Sequence, residues 1–245
     1  MILILCRFLF FFQDPGETNG LMPVVERMRE IGADVEIGRP DEVDCEVFIS
    51  GVATELQGDL YDVCRRQGIK TVAFWDNFQE EGQSPYFARA HRIEKKADYL
   101  WVPQNGMFAK REHVFVSGHP SLEVWKKQAA QVDKEAVRKR LGLGPKVAVW
   151  IGGYGAEYEK AYEAFKNYKH DYEVIYQPHP KTGIAPLIST VEAVVLADVV
   201  FCHQSTVAYQ AAYLGKPVFS SGMVPLDTPE DSIERCVEWL STQME

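Results

Sequence analysis

Residues 196–219 read LADVVFCHQSTVAYQAAYLGKPVF, and the fold turns on how they are divided. The apolar run Val199-Val200-Phe201-Cys202 has the length of a buried strand and stops at His203-Gln204-Ser205-Thr206. An Ala-rich helical segment, 205–214, follows at once, then Gly215-Lys216-Pro217 and a second apolar run, 217–219. Strand, helix and strand in so short a space predict parallel pairing with a crossover helix.

Outward from this stretch the same alternation covers the chain. A first strand ends near Gln13, with a helix over 18–31 whose Met22, Val25, Met28 and Ile31 share a stripe and whose N-cap is Thr18. Strands fit at 34–37 and 46–50, a helix at 57–67 capped by Gly68, a strand at 70–75, a helix at 85–97, and strands at 98–102 and 114–116. The charged helical stretch 123–145 holds the boundary between two domains. Beyond it come a strand at 146–151, a helix at 156–168, strands at 172–177, 191–195 and 198–202, and a final helix at 229–243. The expected fold is α/β: two Rossmann-like parallel-sheet domains facing a cleft, the first over 1–125, the second and more compact over 135–245, with the last helix free to cross back.

Composition narrows the function. A net charge of −9 argues against a broad nucleic-acid-binding face. Five scattered cysteines without a CxxC pair fit buried thiols in a reducing cytosol and predict a cytoplasmic protein. MILILCRFLFFFQ is too short and too interrupted, at Arg7, to span a bilayer; it reads as a first strand and leaves peripheral membrane contact open.

In open α/β sheets ligands bind beyond the carboxyl ends of the strands, so the residues that follow each strand carry the functional information. Gly152-Gly153-Tyr154-Gly155 is a glycine-rich turn opening a helix, fit either for close approach of an anion or for a tight turn. Pro178-His179-Pro180 aims an imidazole with two rigid neighbours, and Lys181 adds charge beside it. Gln204, Ser205 and Thr206 offer an amide and two hydroxyls at a helix N-terminus, more than a plain cap requires. In the first half, Asp76 follows the strand 70–75 as a candidate general base or a turn cap. Asp14 and Glu17 compete with it from the first loop, although Asp14 also suits a turn with Pro15 and Gly16. Asn19 and Gly20 face a leaving phosphate or an acceptor, and His119 lines a cleft or builds a turn. Trp75, Phe78, Tyr86 and Tyr154 could stack on a sugar or base, with packing the alternative for each.

These residues sit in segments with a family likeness. STVAYQAAYLGKPV (205–218) resembles the donor-side segment of GT-B glycosyltransferases, and VFVSGHPSLEVW (114–125) resembles the turn that closes their first domain. QPHP (177–180) resembles the HP motif of bacterial sialyltransferases, capsule transferases and polyglycerol-phosphate transferases. DPGETNGLMPVVERMRE (14–30) and TVAFWDNFQEEG (71–82) resemble first-domain segments of GT-B-like proteins. The resemblance implies that His179, Ser205 and Thr206 contact a nucleotide phosphate. It implies a metal-independent glycosyltransferase with no cofactor, taking a UDP- or CMP/CDP-linked donor and an unknown acceptor hydroxyl. Gln210 stands where the family often has an acidic ribose ligand, which keeps a non-catalytic nucleotide-binding reading open. Non-hydrolysing UDP-N-acetylglucosamine 2-epimerases share the fold, but their HxEAGxR-like segment has WDNFQEEG (75–82) in its place here.

Overall fold

The computed structural model describes residues 6–42, 44–82, 85–167 and 171–243. The first five residues of the expected first strand lie outside these. The chain divides into two compact units, 1–123 with 227–245, and 124–226. The C-terminal residues thus belong with the first unit, not with the segment that precedes them.

The first unit holds β1 (Arg7–Phe11), α1 (Pro15–Glu30), β2 (Asp34–Ile37), β3 (Val47–Ser50), α2 (Glu55–Gln67), β4 (Lys70–Phe74), α3 (Pro85–Glu94), β5 (Tyr99–Val102), β6 (Val114–Val116), the start of α4 (Pro120–Ala129) and α9 (Ser232–Thr242). Its sheet runs β2-β1-β3-β4-β5-β6, every pair parallel. Both faces of the central strands are covered, so these strands are apolar at most positions. Leu9, Phe48, Ala73 and Leu100 meet Leu60, Tyr61 and Cys64 of α2 and Ala90 and Ile93 of α3. Phe8, Phe10, Ile49, Phe74 and Trp101, which point the other way, meet Leu21, Val25 and Met28 of α1 and Cys236, Val237 and Leu240 of α9. An Arg27–Glu234 ion pair at 2.6 Å links α1 to α9.

The second unit carries the rest of α4, α5 (Lys134–Leu141), β7 (Val147–Ile151), α6 (Ala156–Lys166), β8 (Glu173–Gln177), α7 (Thr190–Leu196), β9 (Val199–Cys202), α8 (Thr206–Tyr213) and β10 (Val218–Ser220). Its sheet runs β10-β9-β7-β8, again all parallel. Val147, Val149, Val200, Leu196, Ala208 and Ala211 are buried in its core.

Four expectations change. The strand expected at 191–195 is α7: Ser189 caps it, and Glu192 returns a bond to the cap, a local signal that overrides the β-branched composition. The first helix begins at Pro15 rather than Thr18, because Asp14 accepts from the Gly16 amide and Glu17 completes a capping box. The second starts at Glu55 because Thr54 caps it in the same way. The charged stretch 123–145 holds two helices, with Asp133 capping the second. Among the described residues no helix is long and apolar enough to cross a membrane.

Candidate functional site

In each unit the strand order reverses beside one central strand, the topological position that opens a crevice beyond the carboxyl ends. In the second unit that strand is β7. Its last residue, Ile151, pairs with Gln177 of β8 and Cys202 of β9, and Cys202 pairs with Ser220 of β10. The four strands therefore end level, about 4.8 Å apart. Their polar stops, Gly152-Gly153-Tyr154, Pro178-His179, His203-Gln204-Ser205 and Ser221, leave the sheet along one edge.

Local bonds shape each stop. The backbone amide of Lys181 donates to His179 Nδ1 at 3.1 Å, so the ring proton sits on Nε2 and makes it a donor. Tyr154, 66% exposed, has its ring 6.5 Å from that of His179, which brings the glycine-rich turn and the HP turn together. Ser205 is the N-cap of α8, accepting from the Val207 amide at 3.2 Å and keeping its own O–H as a donor. Thr206 is the first helical residue behind it. Gly155 caps α6 at φ 110°, a conformation that favours glycine, and no side chain bonds to the helix start. Gly152 has a different role: its amide donates to the Gln177 carbonyl at 2.8 Å and extends the ladder. At Gly153 a Cβ would come within 1.7 Å of the Tyr158 ring.

Sequence reasoning left out His203 and Tyr158 as site residues. Tyr158 packs edge-on against His203 at 5.1 Å, and His203 Nδ1 lies 3.2 Å from Ser221 Oγ. The available signal was position, since His203 is the first residue past β9. The GKP turn has a structural role. Lys216 Nζ donates to the carbonyls of Val195 and Ala197 at 2.8 and 2.9 Å, closing the C-terminus of α7. Gln210 is buried on α8.

In the first unit the strand-end groups are enclosed. Glu17 has no exposed surface. Its Oε1 accepts from the Ala53 amide at 3.0 Å, and its Oε2 from the Gln13 and Asp14 amides and from Gln57 Nε2 at 2.7 Å. Burial pushes its pKa up against these donors. Four donors make Glu17 the anchor between the loops after β1 and β3, not an open base. Asp14 is occupied as the α1 cap.

Asp76 follows β4 and is 8% exposed. The Tyr86 hydroxyl donates to its Oδ1 at 2.6 Å. A Cβ on Gly16 would sit 2.2 Å from its Oδ2, so only glycine lets the first turn of α1 pack against this carboxylate. Burial first, then the charge of Glu17, push Asp76 up to about 7, while the Tyr86 bond pulls the other way. His119 is 1% exposed, stacked on Phe78 at 5.2 Å, with Nδ1 2.8 Å from Ser121 Oγ. Burial pushes it down to about 4, against a backbone hydrogen bond with Asp76 that pulls the other way. Gly20 is buried against Phe74 and His119, whereas Asn19 is exposed. Trp75 and Phe78 are core residues, not open stacking platforms. Among the described residues no group of three or more His, Cys, Asp and Glu could hold a metal ion.

No family model matches the chain, and no curated protein matches it by sequence. Solved structures do. The UDP-GlcNAc 2-epimerase of Neisseria meningitidis bound to UDP-GlcNAc gives a TM-score of 0.69 at 10% identity, covering 96% of this chain and 91% of that one. The Methanocaldococcus jannaschii UDP-GlcNAc 2-epimerase, in complex with UDP-GlcNAc and UDP, gives 0.67 at 12% identity over 98% and 93%. The wall teichoic acid polymerase TagF gives 0.53 at 14% identity over 86% and 69%. Identities this low establish the fold alone: an α/β protein of GT-B type built from parallel sheets of six and four strands.

Proposed function

We propose that the second unit binds a nucleotide-activated sugar and that the protein transfers the sugar to an acceptor hydroxyl. The observation that carries this reading is the level edge of the second sheet. There His179 Nε2, the Ser205 and Thr206 hydroxyls and the starts of α6 and α8 all present donors suited to a diphosphate. Within the first unit Asp76 is the candidate base, its pKa near 7 placing it close to working pH. A UDP-, CMP- or CDP-linked donor fits the seat. The free cysteines suit a reducing cytoplasm.

Calorimetric titration with UDP, CMP and CDP tests the seat. Saturable binding should weaken about tenfold in the Ser205→Ala/Thr206→Ala variant, whose loss corresponds to roughly 1.4 kcal/mol. No binding at millimolar nucleotide overturns the reading.

A second reading, epimerisation of UDP-N-acetylglucosamine, has one observation in its favour. The epimerase structures reach TM-scores of 0.67 and 0.69, against 0.53 for the polymerase. Exchange of the C2 proton of UDP-N-acetylglucosamine in deuterated water, followed by NMR, separates the two. Exchange without acceptor selects the epimerase.

A further inference from the structure

The strand ends of the second unit carry an imidazole besides that of His179. His203 is the first residue past β9, and the end of β10 fixes its backbone. The Ser221 amide and the Ser220 hydroxyl donate to the His203 carbonyl at 2.8 and 3.2 Å. The ring is held as well: Nδ1 lies 3.2 Å from Ser221 Oγ, and Tyr158 of α6 packs against it edge-on at 5.1 Å. With the Ser221 hydroxyl donating to Nδ1, the ring proton sits on Nε2.

Among the described residues Nε2 makes no hydrogen bond. What faces it is Glu157 Oε2, from the second residue of α6, at 3.9 Å. That separation is too long for a hydrogen bond, and an ion pair this open to water holds its partners weakly. The Glu157 side chain is 77% exposed and can swing into solvent, whereas the His203 side chain is 24% exposed and pinned on two sides. A fixed donor therefore faces a movable anion. Because β8 and β9 lie on either side of β7, His179 and His203 flank the Gly152-Gly153-Tyr154 turn.

We propose that His203 is a further ligand of the nucleotide phosphate: its Nε2–H donates to a phosphoryl oxygen, and Glu157 is the carboxylate that the phosphate displaces from this nitrogen. The inference rests on the nucleotide seat of the reading above and uses groups of the second unit alone. A phosphoryl oxygen can approach to hydrogen-bond distance, where Glu157 stays at 3.9 Å, so the exchange favours the ligand. Ser221 keeps the ring in the donor tautomer, and Tyr158 keeps its plane.

The test is calorimetric titration of UDP, CMP and CDP into the native protein, His203→Ala, Glu157→Gln and the double variant. His203→Ala should weaken binding about fivefold through the lost donor. Glu157→Gln should tighten it about threefold by removing the competing charge, and that gain should vanish in the His203→Ala background. A gain that persists there reports general charge repulsion and overturns the inference, as does an unchanged affinity in His203→Ala. In 15N spectra of labelled imidazoles the His203 Nε2 resonance should move when nucleotide is added; an unmoved resonance also overturns it. The spectra and Glu157→Gln report even where His203→Ala does not fold. Absence of binding to the native protein sinks the seat and His203 together, whereas native binding that ignores both substitutions sinks His203 alone.

Discussion

The two units end their strands in opposite ways. In the first, Glu17, Asp76 and His119 are 0%, 8% and 1% exposed. In the second, Tyr154 is 66% exposed, and His179, Gln204, Ser205 and Thr206 are half-buried. Enclosure raises a carboxylate's pKa and lowers an imidazole's, and it forces each group to find its partners inside the protein. Openness leaves donors for a ligand and contributes little to stability. One unit encloses its charged groups, and the other leaves its polar groups at the surface.

The largest break in that contrast should come from two glycines with the same apparent crowding. A Cβ at Gly51 would sit 1.8 Å from Glu17 Oε1, and one at Gly153 would sit 1.7 Å from the Tyr158 ring. Glu17 cannot move without abandoning four donors, so Gly51→Ala should cost about 5 kcal/mol, combining overpacking with unmade charged hydrogen bonds. Tyr158 is only partly buried and can swing outward, so Gly153→Ala should cost below about 1 kcal/mol. Hydrogen exchange on peptides from each unit, read with thermal unfolding, distinguishes the outcomes; equal costs would erase the difference between the units.

The next effect is a pH slope. Asp76 is raised in the folded protein from 3.8 to about 7. Its contribution to stability is therefore complete below pH about 4 and is lost as pH rises through about 7, a change of roughly 4 kcal/mol. In Asp76→Asn that slope should flatten in urea unfolding measured between these limits, and an unchanged slope would remove the contrast between the two units. The smallest effect concerns the open edge. Ser205→Ala removes one cap bond and should lower stability by about 1 kcal/mol, seen as faster exchange confined to α8.

Much of the fold was legible because its signals are local. Apolar runs such as VVFC (199–202) and KTVAF (70–74) announce buried parallel strands, and glycine marks the end of α2. The segment 191–195 misled because Val191, Val194 and Val195 favour strands, while the capping box that decides for helix pairs Glu192 with Ser189, which lies before the run. The strand-end residues of the second unit could be named because position after a strand is visible in sequence. Burial is not visible there. Glu17 and Asp76 look alike as acids after strands, and only the fold gives one four donors and sets the other against the Tyr86 phenol. Tyr86 was noted for its ring, whereas its hydroxyl is what meets Asp76, ten positions away in the chain.

The return of α9 has a consequence for synthesis. Cys236, Val237 and Leu240 complete one face of the first sheet, so that sheet stays half-covered until α9 has emerged. The second unit is complete in sequence by Leu226 and can close earlier. Of the two units, the one that starts earlier closes later, and removing α9 should unravel the first unit before the second.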